Sequence, residues 1–155
     1  MESQQELNLP FGYKFNPTSV ELLEDYLIPK LKGEKLPSPY VMDLHVYDYE
    51  PPQLPFNVFK HARENESYFF TEDLRKNTVE ESQIRTTPNG YWKVYKDDVP
   101  IHRGNEVIGF KTNLLFHDLH GNQTKFKMIE YRCRFPAITN TAKSYIVCRV
   151  KLMRG

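Results

Sequence analysis

Between Gly90 and Lys96 the chain reads Gly-Tyr-Trp-Lys-Val-Tyr-Lys, and no other run constrains the fold as strongly. It holds the only tryptophan, and aromatic or branched residues are interleaved with lysines. That is the period of a half-buried β-strand, in which successive side chains leave opposite faces. Tyr91, Lys93 and Tyr95 then share one face, and Trp92, Val94 and Lys96 share the other. A packed anchor with lysines reaching outward suits insertion into a groove that carries negative charge.

The rest of the chain reads as a scaffold for that strand. Residues 1–8 are polar and expected to fray. Leu9 to Phe15 is extended, and Asn16-Pro17 is a turn signal. Thr18 followed by Glu21 makes a capping box for a helix whose apolar stripe is Val20, Leu23, Tyr26 and Leu27. Pro29 is expected to kink or end that helix, and Gly33 and Pro37 make continuation past Lys32 unfavourable. Residues 36–56 alternate proline with aromatic and aliphatic residues and read as an ordered loop, with one short helical turn between Val41 and Val46. Ser67 to Thr71 reads as a strand, and Glu72 to Arg85 as an exposed loop. Asp97-Asp98 and Pro100 should break the tryptophan strand. Val107 to His117, Thr124 to Phe135 and Ser144 to Leu152 then form an antiparallel meander, with Gly109 marking a bulge.

Composition narrows the class. At 155 residues one domain is the natural expectation, and 39% hydrophobic with 14% aromatic content supports a core. There is no run of 18 apolar residues to span a membrane. The first residues lack the basic-then-apolar order of a secretory signal. Cys133 and Cys148 lie in apolar strand-like runs and read as reduced thiols. Enzyme chemistry has little support, because neither a glycine-rich phosphate loop nor a Gly-x-Ser-x-Gly elbow is present. His117 and His120 lack further ligands for zinc. Asp97 and Asp98, adjacent on a strand, point apart. No catalytic residue, metal, cofactor or small-molecule substrate is therefore expected.

The net charge of +1 conceals a division. Residues 1–84 carry eight Lys/Arg and fifteen Asp/Glu, a balance of −7, whereas residues 85–155 carry thirteen and five, a balance of +8. A basic half points to a polyanion. Its cations recur on strands: Arg85, Lys93, Lys96, Lys111, Lys125, Lys127, Arg132 and Arg134. Phosphate contacts supply most non-specific affinity, and a β-ribbon is narrow enough to read base edges in the major groove. Interleaved aromatics also suit stacking with single strands. Trp92 itself reads first as a core anchor.

Several blocks resemble one family. Leu9 to Leu22, reading L-P-F-G-Y-K-F-N-P-T-S-V-E-L, is similar to the opening L-P-P-G-F-R-F-H-P-T-D-E-E-L of the plant NAC transcription factors. Tyr68-Phe69-Phe70 resembles their W-Y-F-F, and Gly90 to Lys93 their G-Y-W-K-A-T-G. Gly109 to Phe116 resembles G-x-K-K-x-L-V-F-Y, Met128 to Arg132 resembles M-H-E-Y-R, and Val147 to Val150 resembles V-L-C-R-I. The blocks occur in order over residues 9–150.

The resemblance implies a mixed α+β, mainly β domain over residues 9–152: a twisted antiparallel sheet flanked by a few short helices. It implies a nuclear transcription regulator that binds double-stranded DNA, with a preferred core similar to CGT(G/A). The DNA-contacting set would be Arg85, Tyr91, Trp92, Lys93, Tyr95, Lys96, Lys111, Lys125 and Lys127. It also implies a homodimer, or a heterodimer with related family members, joined through Leu9, Pro10, Phe11, Gly12, Lys14 and Glu21. Lys14 and Glu21 stand where the family pairs an arginine with a glutamate across the interface; lysine keeps the charge and loses the fork. Departures fall at the tip. The family's A-T-G-x-D-K is here Val94 to Val99, with Lys96 replacing the glycine and Val99 the closing lysine, and Phe126 stands for a tryptophan. Altered or relaxed base preference is the expectation. The alternative is a relative impaired in DNA binding that heterodimerises with intact members and titrates them.

Overall fold

The computed structural model describes residues 15–55, 66–73, 83–134 and 144–153. The expected fraying of residues 1–8 lies outside these. Seven strands form one curled sheet: β1 (Val41–Asp43), β2 (Glu66–Glu72), β3 (Ile84–Thr87), β4 (Gly90–Arg103), β5 (Glu106–Asp118), β6 (Gln123–Cys133) and β7 (Tyr145–Leu152). Their order is β1-β2-β7-β6-β5-β4-β3. Among the described residues only the short β1–β2 pair is parallel; the others are antiparallel. The fold is mainly β, as the residue pattern and the resemblance implied.

Helix α1 packs on one face. It runs through α-helical Ser19–Glu21, a π-type stretch Leu22–Leu27 and α-helical Ile28–Lys32. Its start is the expected capping box: Glu21 N–H donates to Thr18 Oγ1 at 3.1 Å, and Thr18 N–H donates to Glu21 Oε1 at 2.8 Å. Pro29 does not end the helix, which runs on to Lys32; instead the turn before it departs from α-helical spacing. A proline ring collides with the carbonyl four residues earlier. The widened π turn just before it, in which Ile28 N–H reaches Leu23 O, relieves that crowding. The helix stops at Gly33, whose φ of 73° a side chain would disfavour. Glu34 N–H then closes on Pro29 O and Gly33 N–H on Lys30 O, the two bonds of a Schellman cap.

Each sheet face has its own core. The helix side gathers Leu22, Leu23, Tyr26, Leu27 and Leu31 with Phe15, Tyr68, Phe70, Ile129, Tyr131 and Val147. Each fully buried leucine there contributes roughly 1.5–3 kcal/mol. Gly109 permits the approach, since a Cβ there would sit 2.5 Å from Leu23 Cδ1 and 2.4 Å from Arg132 O. An irregular register beside it leaves Ile108 as the extra residue, so Gly109 does adjoin a bulge. The opposite, concave face packs Phe69, Trp92, Val94, Leu114, Phe116, Met128, Ile146, Cys148 and Val150 beneath Val46, Tyr47 and Leu54.

Three local expectations fail. Val41 to Val46 is not a helical turn: Val41–Asp43 extends along β2, and the 3-10 turn falls at Val46–Asp48. The segment ending at Arg85 is not wholly exposed loop, since Ile84–Thr87 pairs with β4. Asp97-Asp98 and Pro100 do not break β4. Among the described residues its outer side has no partner beyond Lys93, so a residue lacking an N–H costs no ladder bond there.

Candidate nucleic-acid interface

The register sorts the basic residues into rows. Directly paired residues on adjacent strands share a face. One row crosses the sheet as Ile84, Lys93, Leu115, Lys127, Lys151 and Glu66. The next runs Thr86, Tyr91, His117 and Gln123. On β6, Lys125 alternates with Phe126 and so projects from the same face as Lys127. This face is the one that α1 covers further along, through Ile129, Tyr131 and Val147. At the Gly90 end α1 does not reach, and Lys93, Lys125 and Tyr95 are exposed. Lys96 lies opposite Asn113, one row nearer the helix, and is also exposed; Lys111 lies a further row in and is half-buried.

The open end is basic and aromatic at once. Tyr91 and His117 stack with centroids 5.1 Å apart and planes 5° apart. Lys127 Nζ lies 5.8 Å from the centre of the Tyr95 ring, and Tyr95 is 50% exposed. Lys127 and Lys151 face each other directly across two strands. Like charges so placed repel, and a bound anion relieves that. Among the described residues, Lys93, Lys96, Lys125 and Lys127 form no ion pair with a carboxylate.

Arg85 behaves differently. It is 5% exposed, on the concave side. The curl of the sheet carries β3 round to β6, where Arg85 Nε and Nη2 each donate to Glu130 at 3.1 Å. Glu130 is fully buried. It also meets Arg132 Nη1 at 2.9 Å and accepts from the Tyr47 hydroxyl. Arg132 continues to Asp73 through bonds of 3.2 and 3.0 Å. Burial pushes the Glu130 carboxyl up, but Arg132, Arg85 and the Tyr47 hydroxyl outweigh it and hold it below its ordinary value. Burial and the neighbouring carboxylate push the Tyr47 hydroxyl well up, so it remains a donor. The expectation that Arg85 faces a ligand is therefore corrected: its fork is engaged inside the protein.

Trp92 is likewise fully buried, edge-on to Phe116 at 5.2 Å, and its indole N–H has no acceptor among the described residues. It is the core anchor of the strand and not a surface reader. Tyr91, Lys93, Tyr95, Lys96, Lys125 and Lys127 gather on the open end, with Lys111 at its flank. Residue-by-residue reading missed His117 and Lys151, although pairing Gly90–Tyr95 with Leu115–Asp118 would have put His117 beside Tyr91. Of the expected dimer residues, Leu9, Pro10, Phe11, Gly12 and Lys14 lie outside the described residues. Glu21 is exposed and serves the helix cap.

Comparison with known proteins decides the family. The family model described as "No apical meristem (NAM) protein" matches residues 10–133. The chain belongs to the NAC family. It is 37% identical over 134 residues to NAC domain-containing protein 2 of rice, a match that covers 84% of this chain and 42% of the relative. It is 33% identical over 155 residues to NAC domain-containing protein 83 of Arabidopsis thaliana, covering 96% and 60%. With NAC transcription factor 29 of the same plant it shares 30% over 165 residues, covering 100% and 61%. The chain thus spans from 23% to 61% of the length of these and further NAC relatives it matches. The matched segment contains β1 to β6, with Lys93, Lys96, Lys125 and Lys127, but not β7.

Proposed function

We propose that this NAC domain is the DNA-binding part of a dimeric, nuclear, sequence-specific transcription regulator. The supporting observation is the convergence of Lys93, Lys125 and Lys127 on the one part of the sheet face that α1 leaves open, beside Lys96 on the free edge of β4. A duplex laid there meets lysines spaced along its phosphates, while the β4 edge enters the major groove. Tyr91 and Tyr95 offer rings and hydroxyls to bases or sugars. Lys111 reaches the flank of the same duplex. Arg85 acts from within by fixing the curl, and Trp92 by anchoring the strand. Dimerisation runs through residues 9–14. The cap engages Glu21 Oε1, which leaves the second carboxylate oxygen for a partner's Lys14.

The test is binding of the purified domain to a duplex recovered from a randomised pool. Lys93, Lys111, Lys125 and Lys127 on phosphate predict a log affinity that falls with log salt at a slope of about −4 for each protomer engaged. Single strands of the same sequence should compete poorly. Binding that ignores salt, or none at low salt, contradicts the reading.

A second reading has one observation behind it. Lys96 and Val99 bound the protruding part of β4, where the family resemblance implies a glycine and a closing lysine. A domain weakened in this way would pair with intact family members and withhold them from DNA. Tight duplex binding by the pure domain excludes this.

A further inference from the structure

The β4 edge is shaped by a device that alternation alone does not reveal. Val94 lies opposite Leu114, Lys96 opposite Asn113, and Val99 opposite Lys111. Six residues of β4 therefore span only four of β5, so two residues are extra and two bulges lie in succession. A bulge lets neighbouring residues leave the same side of a strand. Tyr95, drawn over Lys127, and Lys96, in the Asn113 row, both project on the open face, where a regular strand would send them apart.

This posture is tied down from behind. Thr112 is 0% exposed on the concave side, opposite Glu130. Its hydroxyl donates to Asp97 Oδ1 at 2.8 Å. The same oxygen accepts Asp98 N–H at 2.9 Å. Asp98 holds φ at 48°, a left-handed conformation that costs a non-glycine residue energy unless local hydrogen bonds support it. The clamp supplies that support.

We propose that Asp97 and Thr112 are positioning residues for base selection: together they hold the double bulge so that Tyr95 and Lys96 meet bases in one fixed arrangement. This rests on the duplex-binding reading above. Neither residue touches the nucleic acid. Thr112 is inside, and the carboxylate of Asp97 is turned toward it. Loss of the clamp lets the two extra residues shift along β4. Phosphate contacts by Lys93, Lys125 and Lys127 do not depend on that arrangement, whereas base contacts do.

The experiment compares affinity for a pool-selected duplex with affinity for a scrambled duplex. Thr112→Val removes the hydroxyl without altering charge or strand preference. It should lower the selected-to-scrambled ratio about tenfold, the worth of one good base contact, with scrambled-duplex affinity within about twofold of the parent. Thr112→Ser should restore the ratio, and Asp97→Asn, which keeps an acceptor, should largely retain it. Asp97→Ala gives a second route to the same loss should Thr112→Val not fold. A ratio unchanged in both Thr112→Val and Asp97→Ala overturns the positioning role. So does an equal fall on both duplexes, which would mark a general structural loss. A parent domain with no preference between the duplexes overturns base reading itself and the clamp's role with it, an outcome visible before any variant is measured.

Discussion

The concave interior and the open end of the opposite face both hold cations from the same basic half of the chain, and they use them in opposite ways. Inside, Arg85 and Arg132 converge on a fully buried Glu130, and Arg132 continues to Asp73. Outside, Lys93, Lys96, Lys125 and Lys127 have no carboxylate partner among the described residues. The planar guanidinium suits a buried carboxylate that needs several aligned donors, whereas a hydrated ammonium on a flexible stem suits a mobile polyanion at the surface. Net charge alone therefore overstates the surface available to DNA. Part of the +8 balance is neutralised internally, and what remains is concentrated at one end of the sheet.

The largest expected effect lies inside. Glu130→Gln removes the carboxylate that Arg85 and Arg132 share in the interior, leaving Arg132 only Asp73, and should cost about 3–5 kcal/mol of stability, read by denaturant unfolding. The same carboxyl makes stability pH-dependent. Its folded-state pKa lies below its ordinary 4.5, so its contribution is complete above the unfolded value and fades as pH falls through the folded one. The stability gap between the parent and Glu130→Gln should accordingly narrow below about pH 4. A gap that stays constant with pH would mean Glu130 is not ionised in the folded protein.

Arg85→Lys should have a smaller effect, about 1–3 kcal/mol, since an ammonium cannot make both bonds to Glu130. Its duplex affinity at matched folded fraction should keep the parent's salt slope; a reduced slope would return Arg85 to the DNA surface. Arg103→Ala should do least. Arg103 lies on β4 but pairs with Glu24 of the helix at 3.2 Å in an exposed position, and exposed pairs contribute little. Neither melting temperature nor duplex affinity should change measurably. A marked loss of affinity would extend the interface toward the helix.

The division between legible and hidden features follows from the range of the interactions. Strands β4 to β7 could be read because alternation is local and is fixed by which side chains must be buried. The start of α1 was legible because Thr18 and Glu21 carry the whole capping box within one turn. Three-residue β1 was not, since its extended form is imposed by β2, distant in sequence. Helix passage through Pro29 depended on a π turn that no residue pattern announces. Continuation of β4 past Pro100 depended on the strand being an edge. The fate of Arg85 was hidden for the longest-range reason: only the curl of the entire sheet brings β3 to Glu130. The lysines were read correctly as strand residues, but it took the register to assemble them into one face.

The salt dependence of duplex binding in a Lys93→Ala/Lys127→Ala double variant tests this division most directly. The two residues share one cross-strand row on the open face. Loss of two phosphate contacts in each protomer should make the slope of log affinity against log salt shallower by about two per protomer engaged, with thermal stability unchanged. A double variant that keeps the parent's slope would contradict the assignment of the open end as the DNA-binding surface.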